Sequence, residues 1–424
     1  MYTMRKVICH TLIVAWTVMA IGLGWYENAL ANQLDLSSAE TIALQKDPSV
    51  SSLESRASAL EELEVAAGQL PDPTLKFGAM SLPTDTFNLG QEAMTQVQLG
   101  VVQTFPRGQT LALRSAQIRE HAGALGDKSR DMALQIRRTV REEFLEVLKQ
   151  QHLFVINAKA EAAFVDLDEI TQDYYATGRV PQQDVLGVAV ELARVKERSL
   201  RISEDEQKAR GRLAAFIKDS AWRTLEPEWP VMDLPAAPEQ IKRKLKVHPR
   251  IQALHHEAVA AQKGIELADQ NYKPEFALDL TYAGRSGVGN NGRDRPDLLS
   301  LMVRMDIPLF TSRRQDRVRA ASVAQSNAVA FDRDDAHRAL LSEVEVQYHA
   351  WQRQQERLVL FERYLLPQAE SNAQASFDAY QAALADMTTL TRAQIIEFDL
   401  QLEHVRLKAE SLKSRARLLY LEGK

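Results

Sequence analysis

The sequence of 424 residues holds a single cysteine, Cys9, which excludes a disulfide scaffold and any thiolate metal cluster. Glycine (18) and proline (15) are too few for a low-complexity chain, and 45% hydrophobic residues are too many for a disordered one. Neither sign of charge dominates. With 52 basic against 57 acidic residues the formal charge is -5, too near neutral for a chain that lives on nucleic acid. Beyond residue 31 no apolar run approaches the length of a membrane helix. The length that remains suits two or three ordinary domains or one elongated body.

The first 31 residues read as an export signal. Arg5 and Lys6 form a positive start, Val7 to Leu23 is mostly apolar, and Ala29-Leu30-Ala31 is a small-x-small cleavage site before Asn32. Cys9 sits at the start of the apolar stretch and not at its end, so it is not placed to be a lipidated N-terminus. Removal of Arg5, Lys6 and Glu27 leaves 50 basic and 56 acidic residues and no cysteine, which suits an oxidising compartment.

The remainder is written twice. Asp47-Pro48 and His248-Pro249 each precede a helical pattern, 201 residues apart. Pro73-Thr74-Leu75 and Pro274-Glu275-Phe276 open alternating stretches at the same offset. Phe105 and Phe310 close second alternating stretches at an offset of 205, and Tyr175-Ala176-Thr177-Gly178 and Tyr380-Gln381-Ala382-Ala383 repeat at 205 within long helical runs. The drift of four is absorbed by a longer loop from Arg285 to Pro296. This divides the chain into a signal (1–31), a first repeat (32–221, hairpin 73–105), a connector (222–239) and a second repeat (240–424, hairpin 274–310). The connector carries Pro227, Pro230, Pro235 and Pro238, which cannot continue a helix.

Each repeat predicts helix, strand, strand, very long helix, turn, helix. The first helix opens at Ser37-Ser38-Ala39-Glu40, a capping box, and runs to about Gln69. The run from about Gly108 to Ala176 would be roughly 100 Å long as a helix. Its counterpart, from about Arg313 to Ala382, contains Pro367, where a kink or break is expected. Ile136, Val140, Phe144, Val147 and Leu148 form a stripe at coiled-coil spacing and read as a packing seam.

The alternating stretches separate into two faces. Phe276, Leu278, Leu280 and Tyr282 oppose Ala277, Asp279, Thr281 and Ala283. Leu299, Leu301, Val303, Met305 and Ile307 oppose Ser300, Met302, Arg304 and Asp306. In the first repeat Leu75, Phe77 and Ala79 oppose Lys76 and Gly78; Val97, Leu99, Val101 and Phe105 oppose Gln98, Gly100 and Thr104, with Val102 and Gln103 breaking the pattern. Each stretch is about ten residues, the length that crosses an outer membrane when tilted. A soluble sandwich would show the same alternation. In a bilayer, however, a sheet must close, and four strands cannot. Three chains would give twelve strands around a polar lumen containing Asp279, Arg304 and Asp306.

This arrangement resembles the TolC-like outer membrane factors, from Leu34 to Leu421. Leu36-Ser37-Ser38-Ala39-Glu40-Thr41-Ile42-Ala43-Leu44 followed by Asp47-Pro48 is similar to that family's opening. Gln69-Leu70-Pro71-Asp72-Pro73, Ser81-Leu82-Pro83 and the stretch from Met94 through Gln103-Thr104-Phe105-Pro106-Arg107-Gly108 resemble its heavy-metal branch, the CzcC and CusC type. The resemblance implies a mainly α fold with a membrane β-barrel, a homotrimeric α-barrel/β-barrel of twelve strands in a Gram-negative outer membrane. It also implies a periplasmic adaptor, an inner-membrane pump of the resistance-nodulation-division (RND) type, and no cofactor. Many relatives carry a lipidated N-terminal cysteine; a chain starting at Asn32 departs from that.

A duct needs no chemistry, and no nucleophile–base pair is visible. Control is expected where the long helices turn back, at Thr177-Gly178-Arg179-Val180-Pro181 and Ala383-Leu384-Ala385-Asp386-Met387. By resemblance, Thr177, Gly178, Arg179, Ala383, Leu384 and Ala385 would meet the adaptor, and Arg179, Asp184, Asp386, Thr388 and Thr389 would surround the aperture. A threefold axis would turn Asp184 into a ring favouring cations; capping of helix N-termini is the plainer role for Asp184 and Asp386. Thr388 and Thr389 stand where some relatives have aspartates. Three tempting features carry no site: His248, His255 and His256 lack a converging ligand frame, Met302 and Met305 face opposite ways, and Gly287 to Gly292 leads into Pro296 rather than a helix. Competing readings are a general drug or polypeptide duct and a periplasmic coiled-coil adaptor; an adaptor would carry one hairpin and no repeat.

Overall fold

The computed structural model describes residues 33–424. The signal segment, Cys9 and the expected cleavage site lie outside the described residues. The order begins with helices α1 (Leu36–Leu44) and α2 (Pro48–Ala67), then strands β1 (Thr74–Met80) and β2 (Gln96–Phe105). Helices α3 (Thr110–Ala176) and α4 (Gln182–Ile217) complete the first half, and a 3-10 turn at Lys218–Trp222 leads into the connector. After it come α5 (Pro238–Lys244), α6 (Pro249–Gln270), β3 (Phe276–Gly284), β4 (Leu298–Met305), α7 (Gln315–Leu360), α8 (Leu366–Gln381) and α9 (Met387–Leu421).

Three local expectations are corrected. The cap of α1 is Asp35, whose carboxylate accepts from the Ser38 N–H at 3.2 Å and the Ser37 hydroxyl at 2.6 Å. Glu40 takes no part in a capping box, because the Arg141 guanidinium holds it through two charge-assisted bonds of 2.6 and 3.1 Å. The single helix expected to Gln69 is two helices. Lys46 takes φ +58°, and Pro48, which has no N–H to give, starts afresh as the first residue of α2. The disturbance expected at Pro367 falls just before it, as a π turn over Phe361–Leu365 that hands over to α8 with proline in its first turn.

The strands form one sheet in the order β1-β2-β3-β4, every pair antiparallel. The ladder between β2 and β3 runs unbroken through Val102↔Asp279 and Gln103↔Leu278, so the pattern break in the sequence makes no bulge. Val102 lies on the face of Asp279. Gln103 lies on the apolar face at its end, where its amide donates to the Pro71 and Thr104 carbonyls at 3.0 Å each.

Two compact units cut across the tandem division. One comprises the described residues up to 48 with 132–245 and 340–424, the other 49–131 with 246–339. In the first, the stripe Ile136, Val140, Phe144, Val147 and Leu148 is buried. Further along, Phe164 and Leu167 of α3 pack with Val188 and Val195 of α4 and Leu390 and Phe398 of α9. The ends of α4 and α9 are matched at an offset of 205. Arg212 pairs with Glu143 at 2.8 Å, and Arg417 with the adjacent Glu142 at 2.7 Å. Arg210 donates to the Ala221 and Arg223 carbonyls, and Arg415 to the Asp233 and Leu234 carbonyls, so each buried arginine pins one end of the connector. The second unit holds the sheet with α2, α6, the start of α3 and the first half of α7.

Candidate functional site

Pairing in register makes one face of the sheet continuously apolar. Phe77, Leu99 and Tyr282 lie in line, as do Leu75, Val101, Leu280 and Leu301. These side chains are exposed, Phe77 by 79% and Leu299 by 72%, on a surface far larger than a soluble chain leaves bare. Among the described residues no strand lies beyond the edges of the sheet, β1 and β4. Among the described residues no helix is long and apolar enough to cross a membrane.

The opposite face is polar. Asp279 is nearly buried there, and the Lys76 ammonium reaches it from two strands away, over Gly100. Gly100 makes this possible, since a Cβ there would sit 2.4 Å from the Thr281 hydroxyl, which itself donates to Asp279 at 2.7 Å. Arg304 shares the face and, among the described residues, makes no ion pair. Asp306 lies just past β4. It pairs with Arg107 and accepts the Glu275 N–H at 2.5 Å while its own N–H donates to the Glu275 carbonyl, so it staples the strand end. The three acidic and basic residues expected together in a lumen are thus separated by use. Lys76 and Arg107 are the partners that sequence reasoning left out; the pairing of β2 with β3, which joins residues 171–187 apart, brings Lys76 near Asp279, 203 residues away, and leaves no local signal.

The helix turns lie in the other unit. Gly178 takes φ +72°, and the Arg179 N–H donates to the Tyr174 carbonyl at 2.8 Å, closing the end of α3. The Thr177 hydroxyl donates back to the Asp173 and Tyr174 carbonyls. The Arg179 guanidinium lies 5.4 Å from the centre of the Tyr174 ring, and that ring stacks on Tyr380 of α8 at 6.1 Å. Arg179 is therefore folded onto its own turn. The Tyr380 hydroxyl is buried without a hydrogen-bond partner among the described residues; burial raises its pKa, with Tyr174 and Asp184 adding to the rise.

In the second turn Ala383 takes φ +59° and Leu384 stands exposed beside Ala385. Asp386 caps α9, accepting the Thr389 N–H at 2.7 Å, and hydrogen bonding to Thr389 holds its carboxyl below the usual range. Asp184 is different. The residue before α4 is Pro181, which gives no side-chain cap, and Asp184 sits in the first turn. It lines a groove of about 290 Å³ with Thr388, Arg392 and Glu191 over an apolar floor of Val188, Met387 and Ile395. The structure thus brings Asp184 and Thr388 together and leaves Asp386 and Thr389 joined as a cap.

The histidines divide. His248 caps α6, its Nδ1 accepting the Arg250 N–H at 3.3 Å, and His255 is exposed. His256, expected to meet no carboxylate, stands 2.7 Å from Glu120 and 3.6 Å from Asp127, over Gly123, where a Cβ would approach its ring to 3.0 Å. Among the described residues no group of three such side chains can hold a metal ion. The glycine-rich stretch is the β3–β4 loop. Arg295 ties it to the β1–β2 loop by donating to the Gly90, Glu92 and Ser286 carbonyls.

Residues 241–424 match the family model described as outer membrane efflux protein. No curated protein matches the sequence. Among solved structures, the outer membrane protein VceC from Vibrio cholerae is similar at 19% identity, over 92% of this chain and 96% of that one, with a TM-score of 0.77. The open-state outer membrane channel MtrE of Neisseria gonorrhoeae is similar at 13%, over 92% and 88%, with 0.73. A structure of CusC, reported for changes accompanying folding and transmembrane channel formation, is similar at 14%, over 91% and 93%, with 0.72. At these identities the likeness is one of fold, and it spans nearly the whole described chain.

Proposed function

We propose that this chain, which matches the outer membrane efflux protein model over residues 241–424 and shares the fold of outer membrane channels over nearly its whole described length, is the outer membrane channel of a tripartite efflux pump. The observation that carries this reading is the sheet, with one face apolar but for Gln103 at its end and exposed, the other polar, and both edges open among the described residues. Such a sheet is stable in lipid only once its edges are paired, and bacterial barrels begin at about eight strands. Three copies, each supplying four strands, close a barrel of twelve with Asp279, Lys76 and Arg304 inward. The long helices then form the periplasmic part of the duct.

In this reading the turns are the working ends. Thr177, Gly178, Arg179, Ala383, Leu384 and Ala385 are the surface offered to a periplasmic adaptor, and Asp184 with Thr388 borders the aperture. Asp386 and Thr389 shape that rim from within, as a cap. The energy comes from an inner-membrane pump of the RND type.

For the cargo we favour heavy-metal cations. The support is in sequence: Gln69 to Pro73, Ser81 to Pro83 and Met94 to Gly108 resemble the metal branch. Deleting the gene and comparing growth in copper, silver, zinc, cobalt and cadmium with growth in several drugs decides the matter. Sensitivity to one or more of the metals is expected. Sensitivity to drugs alone would make the protein a general exit duct.

A further inference from the structure

We infer that Arg304 biases the strand-built part of the pore toward anions, so that the barrel does not select for cations. The inference rests on the channel reading above. The register of the four strands sorts every ionisable side chain of the sheet except Tyr282 onto one face, and only three are charged at neutral pH: Lys76, Asp279 and Arg304. Lys76 and Asp279 form an ion pair that leaves no net charge. Arg304 lies opposite Ala277, whose small side chain leaves the guanidinium room, and is one ladder step diagonal from Asp279, which faces Met302. Asp306, the nearest carboxylate along its own chain, is held by Arg107 and the Glu275 backbone.

In a threefold pore this leaves three arginines at one level. A ring of like charges inside low-dielectric walls concentrates the opposite ion and repels its own sign. A bare divalent cation would therefore cross the barrel against the local field, whereas an anion or a negatively charged metal complex would cross with it. If metal ions are the cargo, the barrel adds nothing to their selection, and the discrimination belongs upstream, at the pump or at the Asp184 rim. The hairpin loops carry both signs, Arg285, Arg293 and Arg295 against Asp85, Glu92, Asp294 and Asp297, so a test must change one strand residue at a time.

The full-length processed protein, extracted from outer membranes, is reconstituted in planar bilayers of neutral lipid under a steep KCl gradient. The reversal potential gives the chloride-to-potassium permeability ratio. Arg304→Gln should lower that ratio by ~2-fold or more, Arg304→Glu should lower it further, and Arg304→Lys should leave it near wild type. Ser300→Glu, on the same face and without touching Arg304, should move it in the direction of Arg304→Glu, so the test survives a folding defect at either site. Ratios unchanged in Arg304→Gln, Arg304→Glu and Ser300→Glu, in pores that still conduct, would overturn the inference. Wild-type protein that forms no pores would instead reject the channel reading on which it rests.

Discussion

Gly178 and Ala383 hold the same place in the two halves, 205 residues apart, and both take a positive φ. Glycine enters that region freely, and alanine does so only against its own Cβ. Ala383→Gly is therefore expected to stabilise the fold by about 0.5–1 kcal/mol and Gly178→Ala to destabilise it by about 1 kcal/mol. Denaturant midpoints of the two variants check both signs. Glu146 gives a second prediction. Burial pushes its carboxyl up, but Lys149 and Lys413 outweigh that and hold it at about 2. Because the folded value lies below the unfolded one, the stabilisation is full above about 4.5 and is lost as pH falls toward about 2. Glu146→Gln should remove on the order of 1–2 kcal/mol at neutral pH, discounted for partial exposure, and flatten the acid limb of the stability curve. Residues of this kind were half legible in the sequence. The bends at 178 and 383 follow from repeat and turn chemistry. The cap at Asp35 did not, since Ser37 and Glu40 satisfy the capping pattern, and only the distant Arg141 shows that Glu40 is taken.

At the scale of elements, the connector is held by one parallel bridge, Leu225 with Leu34, and beyond that by side chains. Arg415 and Glu422 are both buried and pair at 2.9 Å, while Arg415 also donates to the Asp233 and Leu234 carbonyls. Glu422 also pairs with Lys424 at 3.2 Å, so Glu422→Gln, which leaves Arg415 without a carboxylate, should cost up to about 3–5 kcal/mol and Arg415→Met less. Arg415→Met and Glu422→Gln should each lower the midpoint of unfolding and open the stretch around 230–236 to protease, which limited proteolysis reads directly. The strands were legible because their period of two is a local signal, and the stripe along α3 because its spacing is. The break at Lys46 and the π turn at 361–365 were missed or misplaced for a shared reason. Each is a small backbone adjustment near a proline, and the sequence marks the proline but not which neighbouring residue takes up the strain.

At the scale of the whole molecule, the two halves were visible in the sequence, but not that each compact unit draws on both. That mixing follows from helices whose residues are divided between the two units, α3 at 131/132 and α7 at 339/340. The lumen charges were partly legible. Alternation placed Asp279 and Arg304 on one face, while their use, one paired to Lys76 and one without an ion pair, depends on strand partners far apart in the chain. The central claim is that the sheet of one chain is a fragment of a closed barrel. Native mass spectrometry of the detergent-extracted outer membrane protein measures it most directly. Three copies per particle, stable until heated, are predicted. A single chain that stays in solution without detergent, its apolar strand face covered by its own residues, would contradict the account.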